Sequence, residues 1–252
     1  TPTPGVDRFP LRAPMPKERF DPLAREIRTL KKQLNAVILA HNYQLPEVQA
    51  NYLRRLKAAG ARIVLVLAAG SPIALGEVTD LAEAIVYVWY PGEAGGRALA
   101  DVLFGAANPS GKLPVSFPYA TADLPPFEDY RMDGRTYRYA RKPFQFPFGF
   151  GLSYTRFKYG DLKLAKKRLK PGEPLKVSVR LTNTGGQYGA EVVQVYLSDL
   201  QASVPVPQHK LADFERVALK PGQSRVVSFR LPAVSLMLVD EDGASRLEPG
   251  DF

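Results

Sequence analysis

The hydrophobic period of this chain changes once, and that change limits the folds open to it. Up to about residue 110, apolar runs of strand length alternate with helical stripes. Asp21 and Pro22 suit a helix start, and Leu23, Ile27, Leu30 and Leu34 form one apolar stripe. Ala36–Ala40 reads as a buried strand, and Pro46 opens a second helix that Gly60 stops. Ile63–Leu67 and Ile85–Val88 read as further buried strands, with a short helical piece near Leu75–Ala84 between them. Gly95 and Gly96 open a helix through Leu103, ended by Gly105. This alternation predicts a parallel, helix-flanked sheet. From Asp161 onward there is no helical stripe. Leu175–Leu181, Val192–Leu197, Phe214–Leu219, Val226–Leu231 and Leu236–Val239 read as short strands, separated by turns at Asn183–Gly186, Lys220–Gly222 and Asp242-Gly243. That pattern predicts an antiparallel β-sandwich of about 90 residues. The expected fold class is therefore α/β plus all-β.

Composition removes several chemistries. The chain has no cysteine, which excludes disulfides, thiolate zinc sites, cysteine nucleophiles and cysteine-bound iron–sulfur clusters. Its two histidines, His41 and His209, leave little room for a histidine-rich metal site or a triad, and no metal or cofactor is expected. Gly70-Ser71-Pro72 follows a buried strand but lacks the Gly-x-Ser-x-Gly elbow of a serine hydrolase. The formal charge of +9 suits an anionic partner. Yet the basic residues are scattered, and the densest group, Lys163, Lys166, Lys167, Arg168 and Lys170, reads as a solvated face rather than a nucleic-acid surface. No run approaches the ~18 apolar residues of a membrane span, and the N-terminus has no signal-peptide core. The compartment stays open.

Several long motifs then follow in order. They are Trp89-Tyr-Pro-Gly-Glu-Ala-Gly-Gly96, Ala98–Gly105, Asn108-Pro-Ser-Gly-Lys-Leu-Pro114, Tyr137-Arg-Tyr139 and Phe146-Pro-Phe-Gly-Phe-Gly-Leu-Ser-Tyr-Thr155. Asn183-Thr-Gly185, Glu191–Tyr196, Phe214–Val217 and Leu219-Lys-Pro-Gly222 continue the series. Together they resemble the C-terminal half of glycoside hydrolase family 3, the family of many β-glucosidases and β-xylosidases. The resemblance implies a partial α/β sandwich followed by a fibronectin type III-like domain. It divides the chain into a Pro-rich arm (1–19), an α/β domain (20–118), an aromatic and Pro-rich connector (119–160) and the β-sandwich (161–252). Asn108–Pro118 and Phe144–Tyr154 are expected to form an aromatic strap joining the domains. Phe144, Phe146, Phe148, Phe150 and Tyr154 suit either packing or stacking on a sugar, with packing the commoner use. Glycines 92, 95 and 96 read as a tight strand-to-helix turn rather than an anion site, since Glu93 sits beside the helix start.

Residues 20–49 are worded differently. Leu30–Gln49 resembles the opening helix and strand of quinolinate synthase, and that likeness marks His41 and Tyr43 as substrate contacts. The same enzyme needs three cysteines for its cluster, and none is present. Two families joined in this way also suit a chimeric or generated sequence. Alternatively, His41 is a strand-end histidine satisfied by hydrogen bonds.

The family 3 resemblance implies hydrolysis of O-glycosyl bonds by two carboxyl groups about 5 Å apart. The family's nucleophile is an aspartate on a (β/α)8 barrel of about 250 residues, which these 252 residues do not contain. Pro4-Gly-Val-Asp-Arg8 matches the spacing of a family stretch that carries the acid/base glutamate, with Pro4 at the glutamate's place. No catalytic residue is therefore expected, and Glu128, Asp129, Asp133, Glu241 and Asp242 read as solvated loop charges. A non-catalytic structural or glycan-binding module is the competing reading. The expected partners are a separate barrel subunit or domain and carbohydrate. The resemblance also implies one more strand beyond Glu248–Phe252, so an open sheet edge, marginal stability and self-association are expected.

Overall fold

The computed structural model describes residues 25, 29, 36–41 and 46–252. The Pro-rich arm, the stripe Leu23/Ile27/Leu30/Leu34 and Tyr43 lie outside the described residues. The rest forms two units, the first ending at Ala69 and including Glu77–Trp89, the second comprising Gly70–Gly76 and Tyr90–Phe252.

In the first unit, β1 (Ala36–His41), β2 (Arg62–Leu67) and β3 (Ala84–Tyr87) form a parallel sheet in the order β1-β2-β3. Ala36 pairs with Arg62 through to His41 with Leu67, and Val64 pairs with Ala84 through to Leu67 with Tyr87. The central strand explains the unbroken Ile-Val-Leu-Val-Leu run. A middle parallel strand is covered on both faces, and Ile63, Leu65, Val66 and Leu67 are all buried. Helix α1 (Pro46–Ala58) returns the chain from β1 to β2 and buries Leu53. Gly60 then stops it at φ +78°, with Gly60 N–H donating to Lys57 O and Ala61 N–H to Leu56 O. The expected helix before β3 is a 3₁₀ segment, Gly76–Leu81. Trp89 ends β3 in a left-handed conformation at φ 55°, its ring edge-on to Tyr87 at 4.7 Å.

The second unit begins with the Pro91–Gly96 turn and helix α2 (Gly95–Leu103). Only one of the three turn glycines is required sterically. A Cβ at Gly95 would lie 2.3 Å from the Pro91 ring, whereas Gly92 and Gly96 have open space.

A sandwich then follows. β4 (Phe157–Leu164), β5 (Leu175–Asn183) and β8 (Ser224–Leu231) form one antiparallel sheet. β6 (Gly189–Leu197) and β7 (Lys210–Leu219) form the other. Alternation aims Val227, Phe229 and Leu231 of β8 inward, where they meet Leu181, Val193, Val217 and Leu219. Each such side chain contributes about 1.5–3 kcal/mol by leaving water. Strand β4 was not legible from the sequence. It is mostly exposed, carries a bulge between Gly160 and Lys163, and holds Asp161 at φ 53°. The expected strand Leu236–Val239 is split into a 3₁₀ turn (Ala233–Leu236) and a short β9 (Leu238–Val239), which pairs with β10 (Ser245–Arg246). At the β6–β7 pair, Val192 N–H donates to Glu191 Oε1 (2.9 Å) and Phe214 N–H to Asp213 Oδ1 (2.8 Å). Each carboxylate thus takes up the N–H of the next residue in a two-stranded sheet.

Asn183 occupies an inward position at the end of β5 and is wholly buried. Its Oδ1 accepts from Thr155 Oγ1 (2.7 Å) and Gly185 N–H (3.1 Å), and its Nδ2 donates to Gln187 O (2.8 Å) and Leu219 O (3.0 Å). A polar side chain survives in this core because all its hydrogen-bonding sites are filled.

Candidate functional site

The two Pro- and aromatic-rich segments pair with each other inside the second unit. Leu113 N–H donates to Phe150 O (2.8 Å), Gly149 N–H to Leu113 O (2.8 Å), and Phe117 N–H to Phe146 O (2.8 Å). Asn108 fastens this ladder to the sandwich. Its Oδ1 accepts from Ser153 Oγ and Tyr154 N–H, and its Nδ2 donates to Tyr188 O. The approach is close enough to demand glycine. A Cβ at Gly151 would stand 2.0 Å from Gly111 O, and one at Gly149, already at φ +80°, 2.3 Å from Gln194 Oε1. The aromatics mostly pack against each other. Phe148 stacks on Tyr137 at 4.1 Å, Phe146 lies 5.4 Å from Phe150, and His209 sits 5.5 Å from Tyr137 and 5.6 Å from Tyr196.

Beside the strap an open groove of about 450 Å³ runs along β6, lined by Lys112, Phe150, Tyr159, Glu191, Gln194 and Tyr196 among others. Lys112 and Glu191 form an ion pair at 2.9 Å, with side chains only 17% and 12% exposed. The same ammonium donates to Gly151 O at 2.9 Å. Burial, and then the Glu191 charge, push the Tyr159 hydroxyl above the usual phenol range, so it stays neutral. A carboxylate, an ammonium, an amide and phenols beside an exposed ring edge give the donors, acceptors and apolar face that a polyol can use. The ion pair joins residues 79 positions apart, and nothing in the sequence flagged it.

The carboxyls named from the sequence are loop groups. Asp129 accepts two guanidinium bonds from Arg131 (2.9 and 2.7 Å) and its backbone N–H (3.0 Å), which hold its pKa down to about 2. Asp133 pairs with Arg141 at 3.1 Å. Glu128, Glu241 and Asp242 are exposed. Glu83, Asp129, Asp161, Glu173 and Asp240 are the carboxyls with shifted pKa values among the described residues, and all five shift downward. A general acid for glycoside cleavage needs the opposite shift. Among the described residues, no group of three or more His, Asp or Glu side chains is placed to hold a metal ion. His41 ends β1 in backbone register with Leu67, at the carboxyl end of the parallel sheet. Tyr43 lies outside the described residues. The basic group around Lys166 is exposed, with Lys166 paired to Glu173 at 2.9 Å. No helix among the described residues is long and apolar enough to cross a membrane.

Comparison with known proteins accounts for both units. Residues 33–154 match the glycosyl hydrolase family 3 C-terminal domain, and residues 191–252 match the fibronectin type III-like domain. The first match begins inside the stretch that resembles quinolinate synthase, and so takes β1 into the family 3 domain. A xylan 1,4-beta-xylosidase of Xylanibacter ruminicola is 43% identical over 210 residues, covering 83% of this chain and 24% of the relative. A periplasmic beta-glucosidase of Salmonella typhimurium is 39% identical over 223 residues, covering 84% of this chain and 29% of the relative. The crystal structure of a beta-glucosidase from Listeria innocua in complex with glucose superposes with a TM-score of 0.76 at 31% identity, covering 94% of this chain and 36% of that one. The chain thus spans between about a quarter and about a third of the length of these relatives. Residues 33–154 thus belong to the glycosyl hydrolase family 3 C-terminal domain family, and residues 191–252 to the fibronectin type III-like domain family.

Proposed function

We propose that this chain is the C-terminal portion of a β-glucosidase- or β-xylosidase-type hydrolase, and that it positions a catalytic barrel rather than supplying the reacting carboxyls. One observation carries the reading. The acids of its long connector are exposed or committed to arginines, with Asp129 held ionised down to about pH 2. Held ionised in this way, Asp129 does not give a proton to a leaving sugar oxygen at neutral pH. The domain boundaries at residues 19, 118 and 160 belong to the same proposal.

The test is reconstitution. The barrel portion of the Salmonella relative, shown to be folded by circular dichroism, is mixed with this chain and given nitrophenyl β-glucoside and β-xyloside. Release that needs both chains supports the proposal. Release by neither the mixture nor a co-expressed pair rejects it.

A second reading rests on the groove along β6. Its polar floor and the exposed edges of Phe150 and Tyr159 suit weak glycan binding by an accessory module. Retention on immobilised xylan or cello-oligosaccharide that disappears in Tyr159→Ala supports it. Unchanged retention in that variant removes it.

A further inference from the structure

Alternation sends every second side chain of the β4–β5–β8 sheet away from the sandwich core. On β5, Lys176 and Ser178 flank the inward Val177, and on β8, Ser228 and Arg230 flank the inward Phe229. The register sets Lys176 opposite Arg230 and Ser178 opposite Ser228. Strand β4 sets Lys163 on the other side of Ser178, diagonal to Lys176.

This outer face is cationic, and the molecule does little to neutralise it. Lys158, Lys163, Lys176, Arg180 and Arg230 are all exposed. The Asp161 carboxylate beside them is taken by Arg180 Nε at 2.7 Å, with Lys163 adding a weaker attraction. Lys158, Lys163, Lys176 and Arg230 join no ion pair among the described residues. Lys176 and Arg230 form the costly arrangement. Side chains directly opposite in an antiparallel ladder have Cβ atoms about 5 Å apart, and like charges placed there destabilise the sheet. The fold has no need of them, since two serines fill the neighbouring outward pair, Ser178 and Ser228.

We propose that the outer face of the β4–β5–β8 sheet binds an acidic polysaccharide, its carboxylates over Lys163, Lys176 and Arg230 and its hydroxyls against Ser178 and Ser228. This site is independent of the barrel-positioning reading. Three features choose the partner. Cations without internal partners call for a polyanion. Serine hydroxyls set between them offer donors and acceptors to a sugar. The paired outward positions carry no aromatic ring on which bases could stack and no helix to enter a DNA groove, and their one apolar side chain, Val226, is too little to enter a membrane.

The experiment measures binding of the full chain to fluorescent polygalacturonate at about 0.15 M salt, where charges more than about 8 Å apart are screened. Lys176→Glu should bind at least roughly ten-fold more weakly, and its affinity should fall less steeply with salt. Arg97→Glu, the same charge change at the exposed start of α2, should stay within about two-fold of wild type. Thermal unfolding gives a readout that a damaged fold would move the other way. Lys176→Glu sets a carboxylate opposite Arg230 and should melt above wild type when no polymer is present. Polygalacturonate should raise the melting temperature of wild type and leave that of Lys176→Glu unchanged. The proposal is overturned by absent wild-type binding, by equal losses in Lys176→Glu and Arg97→Glu, or by equal binding of neutral dextran. Tighter binding of duplex DNA, or of vesicles rich in anionic lipid, overturns it too. So does a Lys176→Glu protein that melts below wild type, because the lysine would then serve the fold.

Discussion

Replacing Asn183 by alanine tests whether the sandwich core is organised around this one polar side chain. Two of its hydrogen bonds, with Thr155 Oγ1 and Leu219 O, are buried. Leaving a buried partner unsatisfied costs about 1–3 kcal/mol, so these two alone imply about 2–6 kcal/mol. The Gln187 and Gly185 partners are part-buried and can turn to water. Even the lower figure lowers the melting temperature by roughly 4–8 °C for a unit of this size. The assay is thermal unfolding followed by far-ultraviolet circular dichroism. Thr184→Ala serves as the control, because its hydroxyl bond to Arg156 O is exposed, and a shift of less than about 0.5 kcal/mol is expected. Asn183→Asp adds a pH test. Its carboxyl would face two carbonyls, which raises its folded pKa above the unfolded value of about 3.9. Stability is then present below about pH 4 and lost as pH rises, so the deficit should be larger at pH 7 than at pH 4. An Asn183→Ala protein that melts within about 1 °C of wild type would refute the reasoning.

The close approaches of the strap give a ranking. Gly151→Ala meets backbone and should destabilise most, Gly149→Ala meets the flexible end of Gln194 and should be partly rescued by Gln194→Ala, and Gly186→Ala, with open space, should change stability least. Urea midpoints check that order. Lys112→Met strands the nearly buried Glu191 carboxylate and should cost roughly 1–3 kcal/mol, whereas Lys112→Met with Glu191→Met should recover part of the loss in a double-mutant cycle. For Asp129, carbon-13 NMR should place the titration near pH 2, and Arg131→Ala should return it toward the ordinary aspartate range. Because the folded pKa is depressed, the stabilisation it brings is present above about pH 4 and fades as pH falls toward 2.

The layout was legible where one physical rule dominated. The run Ile63–Leu67 reads as a buried strand and is one, and Val226–Leu231 reads as a short strand, whose Val227, Phe229 and Leu231 turn inward in β8. The turn at Lys220-Pro-Gly222 was equally plain, since Gly222 adopts φ +74°. Strand β4 escaped notice because an exposed edge strand with a bulge keeps no apolar alternation. The strap was foreseen as an aromatic-rich connection. Its pairing and its seat on Gln194 were not, because neither leaves a periodic trace. Asn183 appeared in the sequence as part of a turn signal, and only its position at the end of β5 makes it a core residue. The 125–135 loop, closed by Arg135, was missed for a similar reason. Arg135 acts on carbonyls six and nine residues back, and carbonyls carry no sequence identity. Its charged and Pro-rich wording reads as ordinary solvated chain.

The most direct measurement is incubation of the purified chain alone with a panel of nitrophenyl β-glycosides. Nitrophenol release at buffer background is the expected result, since the described carboxyls whose pKa values are shifted all move downward, away from acid catalysis. Turnover that persists through repurification and scales with the chain's concentration would contradict it, and would require a working carboxylate pair within these 252 residues.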